Sequence, residues 1–473
     1  MRALRRGLGV LAIAIVAGCT VGPKYERPVL DLPPDYPEPA DAMRSGAALR
    51  ADWWKLYNDP ELDTIVAAAM ERNADVKLAA AQVEEAAGVL REAGAAIFPE
   101  IDLNGSSNRT RFSQSTAIPT PAGFPNVRND HRAVLTTTFE LDFWGKLRSA
   151  TEVARARLLA TQYGRDVVML SLASTTAQAY FSLRSLDAQI AVTQVSLASR
   201  ESSVQIVNSR VQAGYSSDLD LYQANLLRAN AAAQLRDLQR QRALVEHQLE
   251  QLAGTLGLRV AAKSALDLPL PALPPPGLPS SLLERRPDVI VAEQNLIAAN
   301  AQIGVARAAQ FPTFSLTGFL GGESDSLVNI LNAPSRIWSV GAGVLFPVFD
   351  AGKYAARTEQ AEARQKQAVA SYQKSVETAF KDVADSLSNI RQTLAAETDL
   401  RAAAEAAQNA AKIAQARYTA GYSAYLEVLD AQRNANDAEL ALVRNRQLQL
   451  SYTVDFIKAV GGGWTRTAAT AAR

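Results

Sequence analysis

The residue types that carry most enzyme chemistry are scarce in this chain. Only two histidines are present, His131 and His247, and neither has a metal-ligand neighbour at helical spacing. No Glu-x-x-His motif exists for a carboxylate-bridged metal site in a helical bundle. Gly341-Ala342-Gly343 lacks the third glycine of a dinucleotide loop, and Gly145-Lys146 and Gly352-Lys353 lack the Walker spacing. These patterns imply no catalytic set, no metal and no cofactor. Cys19, the only cysteine, does point to covalent chemistry. It follows a basic stretch, MRALRR, and a short apolar run, GLGVLAIAIVAG. That run is too short for a comfortable membrane span and has the layout of a secretory signal. Val16-Ala17-Gly18-Cys19 is similar to a bacterial lipobox, so cleavage before Cys19 and acylation of the new N-terminus are expected. Each buried lipid CH₂ contributes about 0.8 kcal/mol, so several acyl chains hold firmly. Thr20, in place of an aspartate, leans towards the outer membrane.

The elements that position these residues are read from charge, proline and repeats. Net charge is +1 over 473 residues, which argues against nucleic-acid binding. Beyond the signal no run of about 18 apolar residues exists, so any membrane crossing must use strands. Proline is absent between Pro125 and Pro269 and after Pro347, which permits long helices there.

The chain repeats itself. ERNADVKLAAAQVEEAAGVLREAGAAIFP at 71–99 matches ERRPDVIVAEQNLIAANAQIGVARAAQFP at 284–312. FELDFWGKLRSA at 139–150 matches FPVFDAGKYAAR at 346–357. AGYSSDLDLYQAN at 213–225 matches AGYSAYLEVLDAQ at 420–432, each with an arginine (Arg210, Arg417) four residues before its glycine. The spacing predicts a signal peptide over 1–18, a first repeat over 19–265, a proline-rich linker over 266–283 and a second repeat over 284–473. Period-two segments rich in Thr, Val and aromatics predict one β-hairpin per repeat, at about 98–143 and 311–349. Four strands cannot close a barrel, so either they form a soluble sheet or several chains share one barrel. Three chains would supply about twelve strands.

Long helical patterns follow each hairpin. Ile190, Leu197, Val204 and Val211 recur every seven residues, and Val369, Val376, Phe380, Val383, Leu387, Ile390 and Leu394 mark a second coiled-coil seam. Each stretch of roughly 70 residues would span on the order of 100 Å, and the first repeat's helices run to about residue 258. AGYS reads as the tip of an antiparallel helical hairpin, with glycine in a left-handed cap and serine starting the next helix. Ser217 and Asp220 fit a capping box.

Taken together, GPKYERP (22–28), the segment 52–86, ERRPDV (284–289), FDAGK (349–353) and the AGYSAYLEVLDAQR segment resemble the TolC-like outer-membrane efflux proteins of Gram-negative bacteria. Within them the chain is similar to the NodT/OprM-like lipoprotein branch. The resemblance implies a mainly α fold with a small β part and tandem coiled-coil hairpins. It also implies a homotrimer with a twelve-stranded barrel and a periplasmic helical tube. Partners would be a periplasmic adaptor and an inner-membrane pump of the resistance-nodulation-division (RND) type, with the lipid anchor in the outer membrane. The implied function is passive export of small molecules, with no enzymatic step. A duct for type I protein secretion and a periplasmic coiled-coil scaffold are the alternatives.

The same resemblance places a periplasmic gate just after the second tip. Glu427 and Asp430 match its acidic positions, Leu426 an apolar constriction and Arg433 a neighbouring basic position. The two acids lie three apart on one helical face, and a ring of such carboxylates attracts cations and repels anions. Better-known relatives lock the gate by linking the first hairpin's acid to a tyrosine and an arginine. Asp220 and Tyr418 match the acid and the tyrosine. Ser423 stands where the arginine would be, and Arg433 with nearby tip residues is the expected replacement. Gly214, Tyr215, Ser216, Gly421, Tyr422 and Ser423 form the expected adaptor-docking tips.

Overall fold

The structure is a computed structural model that describes residues 20–36, 49–113, 115, 123, 125–275 and 282–464. Cys19, the signal segment, linker residues 276–281 and the tail beyond Trp464 lie outside the described residues. Most of the chain is helical. The main elements are α1 (Pro60–Arg72), α2 (Ala74–Ala95), β1 (Glu100–Arg111), β2 (Val127–Leu141), α3 (Lys146–Gln212) and α4 (Asp218–Ala253). They continue with α5 (Pro287–Ala308), β3 (Thr313–Ser324), β4 (Arg336–Leu345), α6 (Lys353–Thr419) and α7 (Tyr425–Ala459). α2, α3 and α4 with β1 and β2 have the same order as α5, α6 and α7 with β3 and β4. No described helix is long and apolar enough to cross a membrane.

The two longest helices, α3 and α6, each start where an aspartate captures free N–H groups. Asp142 accepts from the backbone of Leu147 and Arg148, and Asp350 accepts from Gly352 and Tyr354. Strand turns into helix through Gly145 (φ 74°) and Gly352 (φ 82°), a conformation that glycine adopts without strain.

The chain divides into two compact units. One holds the sheet and the helix segments around 83–161 and 292–372. Its four strands are antiparallel in the order β1-β2-β3-β4, leaving β1 and β4 as edges. Register separates two faces. One carries the rows Leu141-Phe314-Val344, Phe139-Leu316-Ala342, Ile101-Thr137-Gly318-Val340 and Leu103-Leu135-Leu320-Trp338. Leu103 and Trp338 are 75% and 73% exposed, so this apolar face is uncovered in a single chain. The opposite face is polar: Asn104 donates to Thr136 at 2.7 Å, and Arg132 lies 3.8 Å from Glu323 and over the Phe319 ring. The hairpin roots are tied where Trp144 stacks on Phe311 and donates to the Pro312 carbonyl.

An N-terminal strap is bound into the same unit. Val21 N–H reaches the Trp144 carbonyl, Asn300 donates to the Pro23 carbonyl, and Arg27 forms two bonds to the buried Glu293. Gly22 meets Gly304 so closely that a Cβ on it would lie 2.9 Å from the Gly304 Cα.

The second unit holds α1, the helical hairpin tips and all of α4 and α7. A buried charge clasp fixes α1 against α3. Arg184 is fully buried and bonds Glu61 (2.5 Å), Asp187 (3.4 Å), the Tyr180 hydroxyl and the Ala261 carbonyl. Asp187 also takes Arg242 at 2.6 Å. Burial alone would raise the Asp59 carboxyl. The Tyr180 hydroxyl, the Lys263 ammonium and the Glu61 N–H outweigh it and hold Asp59 below the usual carboxylate value.

The second-copy seam packs as expected at Val376, Val383, Leu387 and Ile390, whereas Leu394 is exposed. In the first copy Ile190, Leu197, Val204 and Val211 are only half-buried. The fully buried line there is Thr193, Arg200, Ser203 and Val207. It is largely polar, and Arg200 donates to the Leu227 carbonyl.

Arg184→Met leaves Glu61 without its cation while Asp187 keeps Arg242. The expected loss is about 3 kcal/mol, the low end for breaking a buried pair, read by denaturant unfolding of the solubilised protein. The Asp59 contribution is present above the unfolded carboxylate pKa and fades as pH falls through the lowered folded value. Asp59→Asn should therefore flatten the acid limb of a stability–pH profile.

Candidate functional site

Both helical hairpin tips use one backbone device. At the first, Gly214 (φ 75°) receives the chain and Tyr215 N–H bonds the Arg210 carbonyl. At the second, Gly421 (φ 82°) does the same and Tyr422 N–H bonds the Arg417 carbonyl. Tyr215 and Tyr422 stand out into solvent at 83% and 80% exposure.

The tips differ at the next helix start. Ser217 caps α4 in a full capping box, its hydroxyl accepting from Asp220 N–H while Asp220 accepts from Ser217 N–H. Asp220 also accepts from the Ser216 and Ser217 hydroxyls. Burial would raise its carboxyl, but these donors prevail and lower it. At the equivalent position α7 has Ala424, with no side-chain cap. Glu427, the counterpart of Asp220, is therefore not consumed by capping and faces Arg417 at 3.8 Å. Replacing a serine cap with alanine typically costs about 1 kcal/mol. Here that cost accompanies an acid bound to no cap and paired only with Arg417.

Glu427 and Asp430 border an open groove of about 770 Å³ between α6 and α7, floored by Ala407, Ala410 and Ala414. Leu426 stands beside them, 58% exposed. Arg433 pairs with Asp430 at 3.1 Å along its own helix. Both ion pairs are more than half exposed, so each is worth little energetically. The acids remain an available negative surface.

Under the tips a shared core joins the two helical hairpins: Val207, Ala224, Ala414, Tyr418, Tyr425 and Val428. Tyr418 does not bond Asp220 directly. Its hydroxyl meets Ser216 Oγ at 3.4 Å, and Ser216 donates to Asp220 at 2.7 Å. Asp220 already serves the cap, so serine intervenes. Arg433 pairs with Asp430 one turn away on its own helix. The cross-hairpin arginine is Arg210. It donates to the carbonyls of Tyr418 (2.8 Å) and Thr419 (3.2 Å), and its guanidinium lies 4.6 Å from the Tyr418 ring centre. Those carbonyls end α6, where free acceptors and the helix dipole favour a cation. Ser423, in the position resembling the lock arginine, has a buried hydroxyl without a partner.

The sequence pattern of the outer membrane efflux protein family matches residues 65–255 and again residues 278–462. The chain belongs to that family. This outer-membrane efflux protein is 34% identical to the solvent efflux pump outer membrane protein SrpC of Pseudomonas putida, over 97% of its own length and 98% of the relative's. It is also 34% identical to outer membrane protein OprJ of Pseudomonas aeruginosa, over 98% and 97% of the two chains. The CmeC outer membrane channel of Campylobacter jejuni superposes with a TM-score of 0.88 at 25% identity, over 95% of this chain and 96% of that one.

Among the described residues no group of His, Cys, Asp and Glu could hold a metal. The signal for Arg210 was the arginine repeated four residues before each glycine. Its acceptors are backbone carbonyls, which leave no mark in sequence. Arg210→Ala removes both bonds to the end of α6, so single-channel conductance should rise. Arg210→Lys, a point charge without the planar fork, should fall between. Unchanged conductance in both would show that Arg210 does not hold the tip.

Proposed function

We propose that this efflux protein is the exit duct of a tripartite pump, a passive trimer carrying small molecules from an inner-membrane RND-type transporter to the exterior. The observation that carries the reading is the sheet. Four strands with two open edges expose an apolar face, and an open edge is not tolerated in hydrocarbon. Three copies, each supplying the hairpins of its repeats (19–265 and 284–473), close a twelve-stranded barrel. Acylation at Cys19 adds the lipid anchor. The chain performs no reaction of its own, and the inner-membrane transporter selects the cargo.

The gate lies at the second tip. Leu426 narrows the periplasmic end, and Glu427 and Asp430 from three chains form a carboxylate ring balanced by Arg417 and Arg433. Asp220, Ser216, Tyr418 and Arg210 hold the second tip against the first. Gly214, Tyr215 and Ser216 with Gly421, Tyr422 and Ser423 meet the periplasmic adaptor.

Reconstitution in planar bilayers tests the duct. Heat-resistant trimers and discrete conductance steps are expected, and a soluble monomer without conductance would refute it. Neutralising the ring with Glu427→Gln and Asp430→Asn should shift reversal potentials away from cation preference, because carboxylate rings select cations. An unmoved reversal potential would place the constriction elsewhere.

A further inference from the structure

The sheet ends differently on its two faces. On the apolar face, the strand end away from the long helices carries Arg336 in the row Ala133-Gly322-Arg336. Beyond it come Ser107-His131-Ser324, Arg109-Asn129 and Arg111-Val127. Three arginines and a histidine thus stand on this face with no acid among them. Arg109, Arg111 and Arg336 are exposed and make no ion pair with a described residue. At the same height the polar face is balanced, with Arg132 against Glu323 and Asp130 near Arg128.

Distance along the strand orders these groups. From Leu141 to Ala133 the apolar rows run eight residues, roughly 27 Å at 3.4 Å per residue. Tilted strands shorten that to about 20 Å, near the apolar band of about 25 Å in outer-membrane barrels. The arginines begin where the band ends. The 325–335 loop folds back over Gly322 on the same face, where a Cβ would meet the Ile330 carbonyl, and it presents Leu327, Val328 and Leu331 to solvent. Cation and apolar surface are thus side by side at one rim.

We propose that Arg109, Arg111 and Arg336, with the Leu327–Leu331 loop, bind the phosphorylated glycolipid of the outer leaflet. Guanidinium forks match phosphate, and the loop meets the upper acyl chains. This rests on the barrel reading above. The site is a belt around the outside of the barrel, separate from the conduit and the gate.

The test uses full-length trimers reconstituted with diphosphoryl lipid A, its dephosphorylated form or phosphatidylglycerol, followed by detergent washing and native mass spectrometry. Wild-type trimers should retain diphosphoryl lipid A and lose the other two. The variant Arg109→Gln, Arg111→Gln, Arg336→Gln should retain at least about ten-fold less, since each basic residue near an anionic lipid surface contributes about five-fold. Its conductance should match wild type. The corresponding lysine variant keeps the charge but not the fork, so it should retain less than wild type and clearly more than the glutamine variant, which controls for misfolding. Arg132→Gln, on the other face, should change nothing. Equal retention by the glutamine variant, or equal retention of phosphatidylglycerol, overturns the proposal while conductance leaves the duct standing. Wild-type trimers that never conduct would overturn the barrel reading itself.

Discussion

A backbone amide in hydrocarbon must find a partner, because no water is there to supply one. That constraint organises the protein. Among the described residues a single chain has two hairpins, and β1 and β4 end as unpaired edges beside a face of Leu103, Leu135, Leu320 and Trp338. Such a sheet is stable in a membrane only as a segment of something closed. Duplication supplies two hairpins per chain, and rotational symmetry supplies the rest. The long helices inherit the same closure.

Duplication also creates the opportunity for asymmetry. The two tips share their glycine, their tyrosine and the bond to the carbonyl five residues back. They first part at Ser217 against Ala424. With serine, the acid three positions on is bound into the local backbone. With alanine, that acid turns to the groove instead. A change with no charge of its own thereby assigns different work to Asp220 and Glu427.

Sequence alone disclosed the repeats, the sheet segments and the tips, because each depends on local chemistry. Glycine marks a left-handed backbone, aspartate or serine marks a helix start, and period two marks a pleat. The first-copy seam was legible only in part. Val204 and Val211 pack against the core under the tips, but nearer the middle of the helix apolar periodicity pointed to Ile190 and Leu197, whereas the buried line runs through Thr193, Arg200 and Ser203. Arg200 is buried because a carbonyl on the neighbouring helix receives it, and no hydropathy pattern encodes that. The bridge from Arg210 escaped for the same reason, its acceptors being main-chain oxygens 208 and 209 residues away. Glu427 and Asp430 were singled out by position, while the missing cap that sets Glu427 apart required the paired tips.

The strap along residues 20–27 touches both copies of the repeat at once. Thr20 is pressed against Gly145 and Val21 is bonded to Trp144, at the point where the first copy's strand becomes helix. A few residues on, the Pro23 carbonyl accepts from Asn300 and Arg27 pairs with Glu293, both on α5 of the second copy. This short run of irregular chain therefore acts as a staple across the duplication, tying the root of one hairpin to the helix that leads into the other.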